Sequence, residues 1–292
     1  MQYVPYDFCL SIVDSLKDPS SLRDVFANRT WRAAINSILT HRVDCSFVIR
    51  KSIVDDWEYA ISASNRQNFT LQELQDLDKH LRVTKIEIQG SSTMINKGYS
   101  FEEITQIVIG ILPFVSFADF YFGHFDGDAE LLQICSSFAE SSLRSLTVSS
   151  VEGSEILRQF IRGHLRSDSL KRVHLTANNR YSPQTDEGEL HAAVEEYLLT
   201  KSFQNVHVDL GVSIEKTFFD RLFKKRITEQ SCSLHAKCNF RAKALVVIGG
   251  KNVGLQSCSK SAVEWQRVDR VKIRVGFLEN GFATMHFGGD SQ

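Results

Sequence analysis

Histidine and cysteine spacings are where this sequence could do chemistry. Cys232-x-x-His235-x-x-Cys238 has the spacing of half a zinc site. A structural zinc needs four convergent ligands. The segment alternates like a strand, which puts Cys232 and Cys238 on one face and His235 on the other. The cysteines therefore read as small packing residues. His174 and His207 occupy the same slot of two similar strand patterns. If those strands pair in register, the two side chains stand about 4.8 Å apart. With Asp209 beside them, such a pair has the donor types to recruit a metal; a ligand-facing or simply solvated surface is the more economical reading. Gly249-Gly250-Lys251 lacks the upstream glycine and the Ser/Thr of a phosphate-binding loop, and neither a Gly-x-Ser-x-Gly elbow nor a His-Glu-x-x-His helix occurs. Arg221, Lys224, Lys225 and Arg226 make a basic cluster, read as the solvated side of a helix whose other side carries Phe218, Phe219, Leu222 and Phe223. No catalytic residue, no metal ligand and no cofactor is assigned.

Composition narrows the class. The chain has 292 residues, 42% hydrophobic and 24% charged, with 34 Lys+Arg against 35 Asp+Glu for a net charge of −1. That balance argues against a nucleic-acid partner, whose footprint is a basic excess. Twenty Phe and four Pro describe ample core material and little linker. The richest apolar stretch, Ile104 to Val115, is too short to cross a bilayer, so no membrane partner is expected. The N-terminal segment has no basic region ahead of its apolar residues, which predicts a cytoplasmic or nuclear protein with reduced cysteines.

Positioning falls to three kinds of element. Residues 1–42 read as a helical head carrying Phe8, Ile12, Val13, Leu16, Leu22, Val25, Phe26, Trp31, Ala34, Ile35 and Ile38 at helix spacing. About forty residues rarely fold alone, so the head should pack on something else. Residues 43–69 read as bridging strands. From 70 to 229 a six-residue pattern, apolar-x-x-apolar-x-apolar, starts at residues 83, 117, 143, 170 and 203, separated by helical segments. Thr70-x-x-Glu73 and Ser100-x-x-Glu103 are capping boxes opening two of those helices. This predicts an α/β fold: an irregular leucine-rich-repeat-like solenoid with a parallel sheet. The doubly wound α/β sheet is the alternative, and a strand order that reverses midway would identify it. Residues 230–292 read as a small antiparallel β cap, with strands expected at 234–240, 244–248, 268–275 and 283–287.

In each repeat the last two apolar residues point inward: Ile86, Ile88, Phe120, Phe122, Leu146, Val148, Val173, Leu175, Val206 and Val208. Their neighbours point outward in two rows. One is Lys85, Asp119, Ser145, Arg172 and Asn205; the other is Glu87, Tyr121, Thr147, His174 and His207. Their mixed chemistry suits a face that holds a protein target, or one that is merely solvated.

The head carries a resemblance. Val4-Pro5-Tyr-Asp-Phe8, Ile12-Val13-x-x-Leu16, Asp18-Pro-Ser-Ser-Leu22-Arg-x-Val25-Phe26 and Trp31-Arg-x-x-Ile35 resemble a divergent F-box. The whole chain is similar to a nematode-expanded family of F-box-like proteins that open on a Val-Pro-Tyr-x-Phe-Cys string, here Val4 to Cys9. The resemblance implies a substrate receptor of a cullin–RING ubiquitin ligase. Val4, Pro5, Phe8, Ile12, Leu16, Leu22, Phe26, Trp31 and Ile35 would dock on the ligase adaptor subunit, and the repeats would hold an unknown protein target. A ligase-independent interaction protein and an enzyme with a site in the C-terminal region are the competing readings.

Overall fold

Side-chain caps and strand alternation set the element boundaries in the computed structural model, which describes residues 5–15, 22, 28–52, 55–63, 66–67, 69–76, 81–90, 98–123, 128–149, 154–177, 187–210, 213–226, 232–245, 253–267 and 272–287. The chain forms two units, residues 1–120 with 140–143, and residues 121–139 with 144–292. The division falls inside one strand.

The first unit begins with α1 (Tyr6–Ser15) and α2 (Arg29–His41). The Asn28 side chain accepts the Thr30 N–H at 2.8 Å and so starts α2. Cys9 and Val13 of α1 bury against Ala34, Ile35 and Ile38 of α2, with Leu10, Leu22 and Trp31 packed at the margin. The strands follow: β1 (Val43–Lys51), β2 (Trp57–Ala63), the short β3 (Arg66–Gln67), and β4 (Leu81–Gly90) after α3 (Leu71–Asp76). β1 and β2 are antiparallel, whereas β1 runs parallel to β4 with Phe47 opposite Ile86 and Ile49 opposite Ile88. Both capping boxes form: Thr70 with Glu73 opens α3, and Ser100 with Glu103 opens α4 (Phe101–Ile111). The strand order here is β3-β2-β1-β4-β5, where β5 is Val115–Gly123.

Inside β5, Phe117 has a φ of 48° and is exposed, while Ala118 is buried. Ala118, Phe120 and Phe122 are two residues apart, so strand alternation puts them on the inward side and Phe117 on the other.

The second unit repeats strand and helix: β6 (Leu143–Ser149) after α5 (Ala129–Ser136), then α6 (Glu155–Leu165), β7 (Arg172–Thr176), α7 (Glu187–Thr200), β8 (Asn205–Asp209), α8 (Lys216–Arg226) and β9 (Cys232–Lys237). β6, β7, β8 and β9 pair parallel in sequence order, and from β5 to β9 the order does not reverse. That is the sequential stacking of repeats and not a doubly wound sheet. Successive helices pack side by side, α5 on α6, α6 on α7 and α7 on α8. Their apolar stripes cover the inward residues of the strands: Tyr197 donates its hydroxyl to the Leu170 carbonyl at 3.0 Å, and Phe218, Phe219, Leu222 and Phe223 are buried. As read from the sequence, Arg221, Lys224 and Lys225 form the exposed side of α8.

β9 pairs parallel with β8 on one side and antiparallel with β13 (Phe282–Phe287) on the other. The cap continues through β12 (Lys272–Phe277), β11 (Ala262–Arg267) and β10 (Val253–Cys258). Of the strand expected at 244–248, residues 246–248 lie outside the described residues; the first two belong to a 3-10 turn, Ala242–Leu245, closed by the Ala244 N–H on the Arg241 carbonyl and burying Ala242 and Leu245 three residues apart. Phe223 holds the cap to its helix, with ring centroids 4.9 Å from Trp265 and 6.3 Å from Phe287.

All ten inward repeat residues are at most 6% exposed. No helix among the described residues is long and apolar enough to cross a membrane. Truncating Leu175 to Ala should lower the unfolding free energy by about 2–5 kcal/mol in urea titration. Asn205→Ala, on the opposite face, should stay within about 0.5 kcal/mol of the unaltered chain.

Candidate functional site

Register places the polar side chains. Because strand side chains alternate, fixing Val173 opposite Val206 and Leu234 inside also fixes what stands outside. Two outward rows result in the second unit. One runs Ser145, Arg172, Asn205, Ser233 and His286; the other runs Thr147, His174, His207, His235 and Thr284. Together with Val173 and Leu234 these ten residues line a hollow of about 480 Å³.

The histidines form a column across three strands. His174 and His207 stack with ring centroids 4.2 Å apart and planes 9° apart, and His207 and His235 stack at 4.6 Å and 5°. Phe282 lies beside the column, its ring centroid 5.1 Å from His235 and 6.4 Å from His207. His235 Nδ1 and the Thr284 hydroxyl share a hydrogen bond of 2.9 Å. This spacing follows from the strand separation, since in-register parallel strands carry equivalent side chains about 4.8 Å apart.

Withdrawal from water disfavours the charged form of each ring. His207 is lowered to about 4 by burial first and then by His174 and His235, with Asp209 opposing. His174 is lowered by burial and His235, and His235 by burial against the raising influence of Asp209. At neutral pH the column is uncharged imidazole. No Asp or Glu is among the described residues that line the hollow.

A metal does not fit this geometry. Stacked, nearly parallel rings send their nitrogens outward side by side, whereas a metal needs lone pairs converging at about 2.0–2.1 Å. Among the described residues no group of three His, Cys, Asp or Glu is disposed to hold an ion. Cys232 and Cys238 lie buried on the face opposite His235, as strand alternation requires. Burial pushes the Cys238 thiol up to about 12 and Cys135 well above its ordinary value, so both are unreactive.

The structure therefore brings together Ser145, Thr147, Arg172, His174, Asn205 and His207 of the expected rows. In the first unit, Lys85 and Glu87 pair with each other at 3.2 Å, and Asp119 is half-buried on β5. Tyr121 lies over Gly123, where an added Cβ would stand 2.4 Å from its hydroxyl oxygen. His235, Ser233, Thr284 and His286 were not anticipated as part of this face. A signal existed: Leu234-His235-Ala236 repeats Val206-His207-Val208 after 28 residues, but Ser231 occupies the first apolar slot and hides the pattern.

The head residues divide. Pro5, Phe8 and Ile12 are exposed on one side of α1, Phe8 at 52% and Ile12 at 38%. Trp31 is half-buried and meets Phe8 edge-to-face at 6.5 Å. Leu22 packs on the small core of the head. Ile35 is a correction: it is fully buried in that core against Cys9 and Val13 and offers nothing to a partner. Val4, Leu16 and Phe26 lie outside the described residues.

The lowered histidines make stability depend on pH. His207 and the buried His164 both drop to about 4 in the folded chain, against an ordinary value of 6.5. Between those values the unfolded chain binds more protons, so stability falls as pH drops from about 6.5 toward about 4 and then levels off. Unfolding titrations across that window should show this slope, and it should be shallower in His207→Asn.

Comparison of the chain with protein-family models gave no match, and neither did comparison with curated proteins or with solved structures.

Proposed function

We propose that the chain is a substrate receptor of a cullin–RING ubiquitin ligase, the head docking on the adaptor subunit and the open strand face holding a protein target. The observation that supports this most is that α1 is apolar on two sides. Cys9 and Val13 bury against α2, while Pro5, Phe8 and Ile12, three and four residues apart, form a second stripe facing outward. A helix that needs only its own core has one apolar stripe. Aromatic anchors in an exposed apolar stripe are the usual centres of an interface, and here Trp31 braces the exposed Phe8 ring from α2.

In this role the protein breaks no bond. It holds a target near a charged ubiquitin carrier, converting a bimolecular encounter into one governed by effective concentration. The two outward rows, with cation, imidazole, amide and hydroxyl groups side by side, suit recognition of a partner's polar surface.

A second reading, a ligase-independent interaction protein, is favoured by Ile35, whose burial removes one of the expected docking contacts. Binding to the purified adaptor subunit separates the two. The intact chain should bind it, and a Phe8→Ala, Ile12→Ala double substitution should weaken binding by about 2 kcal/mol or more, roughly thirtyfold, with the strand face still folded. An intact chain that does not retain the adaptor leaves the ligase-independent reading standing.

A further inference from the structure

We infer that the hollow over β6, β7, β8, β9 and β13 is a binding site for a divalent oxyanion of the phosphate class, presented as a phosphomonoester by the molecule this face holds. The inference rests on the reading above only in taking this face, and not the head, as the one that meets the target.

The donor inventory points to an anion. Among the described residues, the lining holds the Arg172 guanidinium, the imidazoles of His174, His207, His235 and His286, and the Asn205 amide, together with four hydroxyls and no carboxylate. Guanidinium and imidazolium groups are strong partners for oxyanions because both ends of the hydrogen bond are charged.

The cationic groups of the described lining match a dianion. His207 has a ring on each side, at 4.2 and 4.6 Å, so protons added to the column repel one another and the first excludes a second nearby. Arg172 and one imidazolium supply two positive charges, which a dianion neutralises. Other charged groups facing outward from the described strands of this unit include Asp209 on β8, Lys237 on β9, and Lys272 and Arg274 on β12, Arg274 being ion-paired with Glu264 at 3.3 Å. Asp209 favours the protonated form of His207 and His235.

The ester follows from what lies beside the donors. Phe282 lies alongside His207 and His235, so aromatic surface adjoins the imidazole and hydroxyl groups. A free ion would leave that surface unused, whereas the organic part of a phosphomonoester packs against it.

Binding is then coupled to proton uptake. In the free protein the three stacked rings are neutral near pH 7 because burial and their neighbours lower them. A bound dianion reverses that effect on at least one ring, and uptake of one proton raises affinity by about tenfold for each pH unit of acidification.

Calorimetry on the full chain tests this with sulfate, which stays a dianion throughout, and with phenyl phosphate and inorganic phosphate. The expected result is saturable one-to-one sulfate binding that tightens from about pH 7.5 to about pH 5.5. Proton uptake should be read from buffers of different ionisation enthalpy, and phenyl phosphate should bind tighter than inorganic phosphate. His207→Asn should flatten the pH dependence, and Arg172→Gln should weaken binding about tenfold or more at every pH. Histidine-ring chemical shifts in the unaltered chain supply the same information if a variant fails to fold. Absence of saturable oxyanion binding, or binding independent of pH, overturns the proposal. So does zinc binding at these rings in place of sulfate. Inorganic phosphate binding as tightly as phenyl phosphate overturns the ester. A chain that binds sulfate but no adaptor sinks the ligase reading and leaves this one intact, and the converse result does the reverse.

Discussion

Parallel pairing without slip between β7, β8 and β9 is the constraint on which the second unit depends. Val173, Val206 and Leu234 stand opposite one another on the inward side, and for that reason His174, His207 and His235 stand opposite one another on the outward side. A shift of one residue in any of these strands would carry a histidine into the apolar layer and a valine or leucine out of it. The cost of exposing the apolar set holds the register, and the polar rows are aligned as a consequence. The helices contribute by covering only the inward side, with Phe218, Phe219, Leu222 and Phe223 of α8 buried.

That alignment creates an electrostatic tension at the face. Side chains that titrate near neutrality are stacked closely enough for protonation of one to oppose protonation of the next, and burial works in the same direction. The fold tolerates the column by keeping it uncharged, while Arg172 remains cationic beside it. A surface with fixed positive charge, neutral imidazoles and hydroxyls is thereby ready to respond to a negative group. The same arrangement makes acid unfavourable to the fold.

The head follows a different physical logic. Among the described residues, two short helices share a core of five buried side chains, and a segment of about forty residues is below what usually folds alone. Within that core Cys9, Val13 and Ile35 are committed to the fold, while Phe8 and Ile12 remain on the other side of α1. Sequence spacing alone cannot assign an apolar residue to one stripe or the other when both lie on the same helix. Ile35 therefore looked as available as Phe8 until the partner helix was in place.

Local pattern was sufficient for much of this protein. The period-two alternation in segments such as Leu170 to Leu175 determines which side chains point inward, and the Ser100–Glu103 capping box determines where a helix begins. Both are short-range effects, legible in any chain, and from them the repeat, the buried ladder and the placing of His174 beside His207 all followed. Other features were decided only in three dimensions. Ala242–Leu245 is a turn that buries two apolar side chains three residues apart, and Phe117 takes a left-handed backbone within β5. The full face was also beyond the sequence. His235 joins His207 because β9 pairs parallel with β8, and Thr284 and His286 join because β13, some fifty residues later, returns antiparallel beside β9. Pairing between distant strands is settled by which apolar faces can be buried together, and no local pattern records that choice.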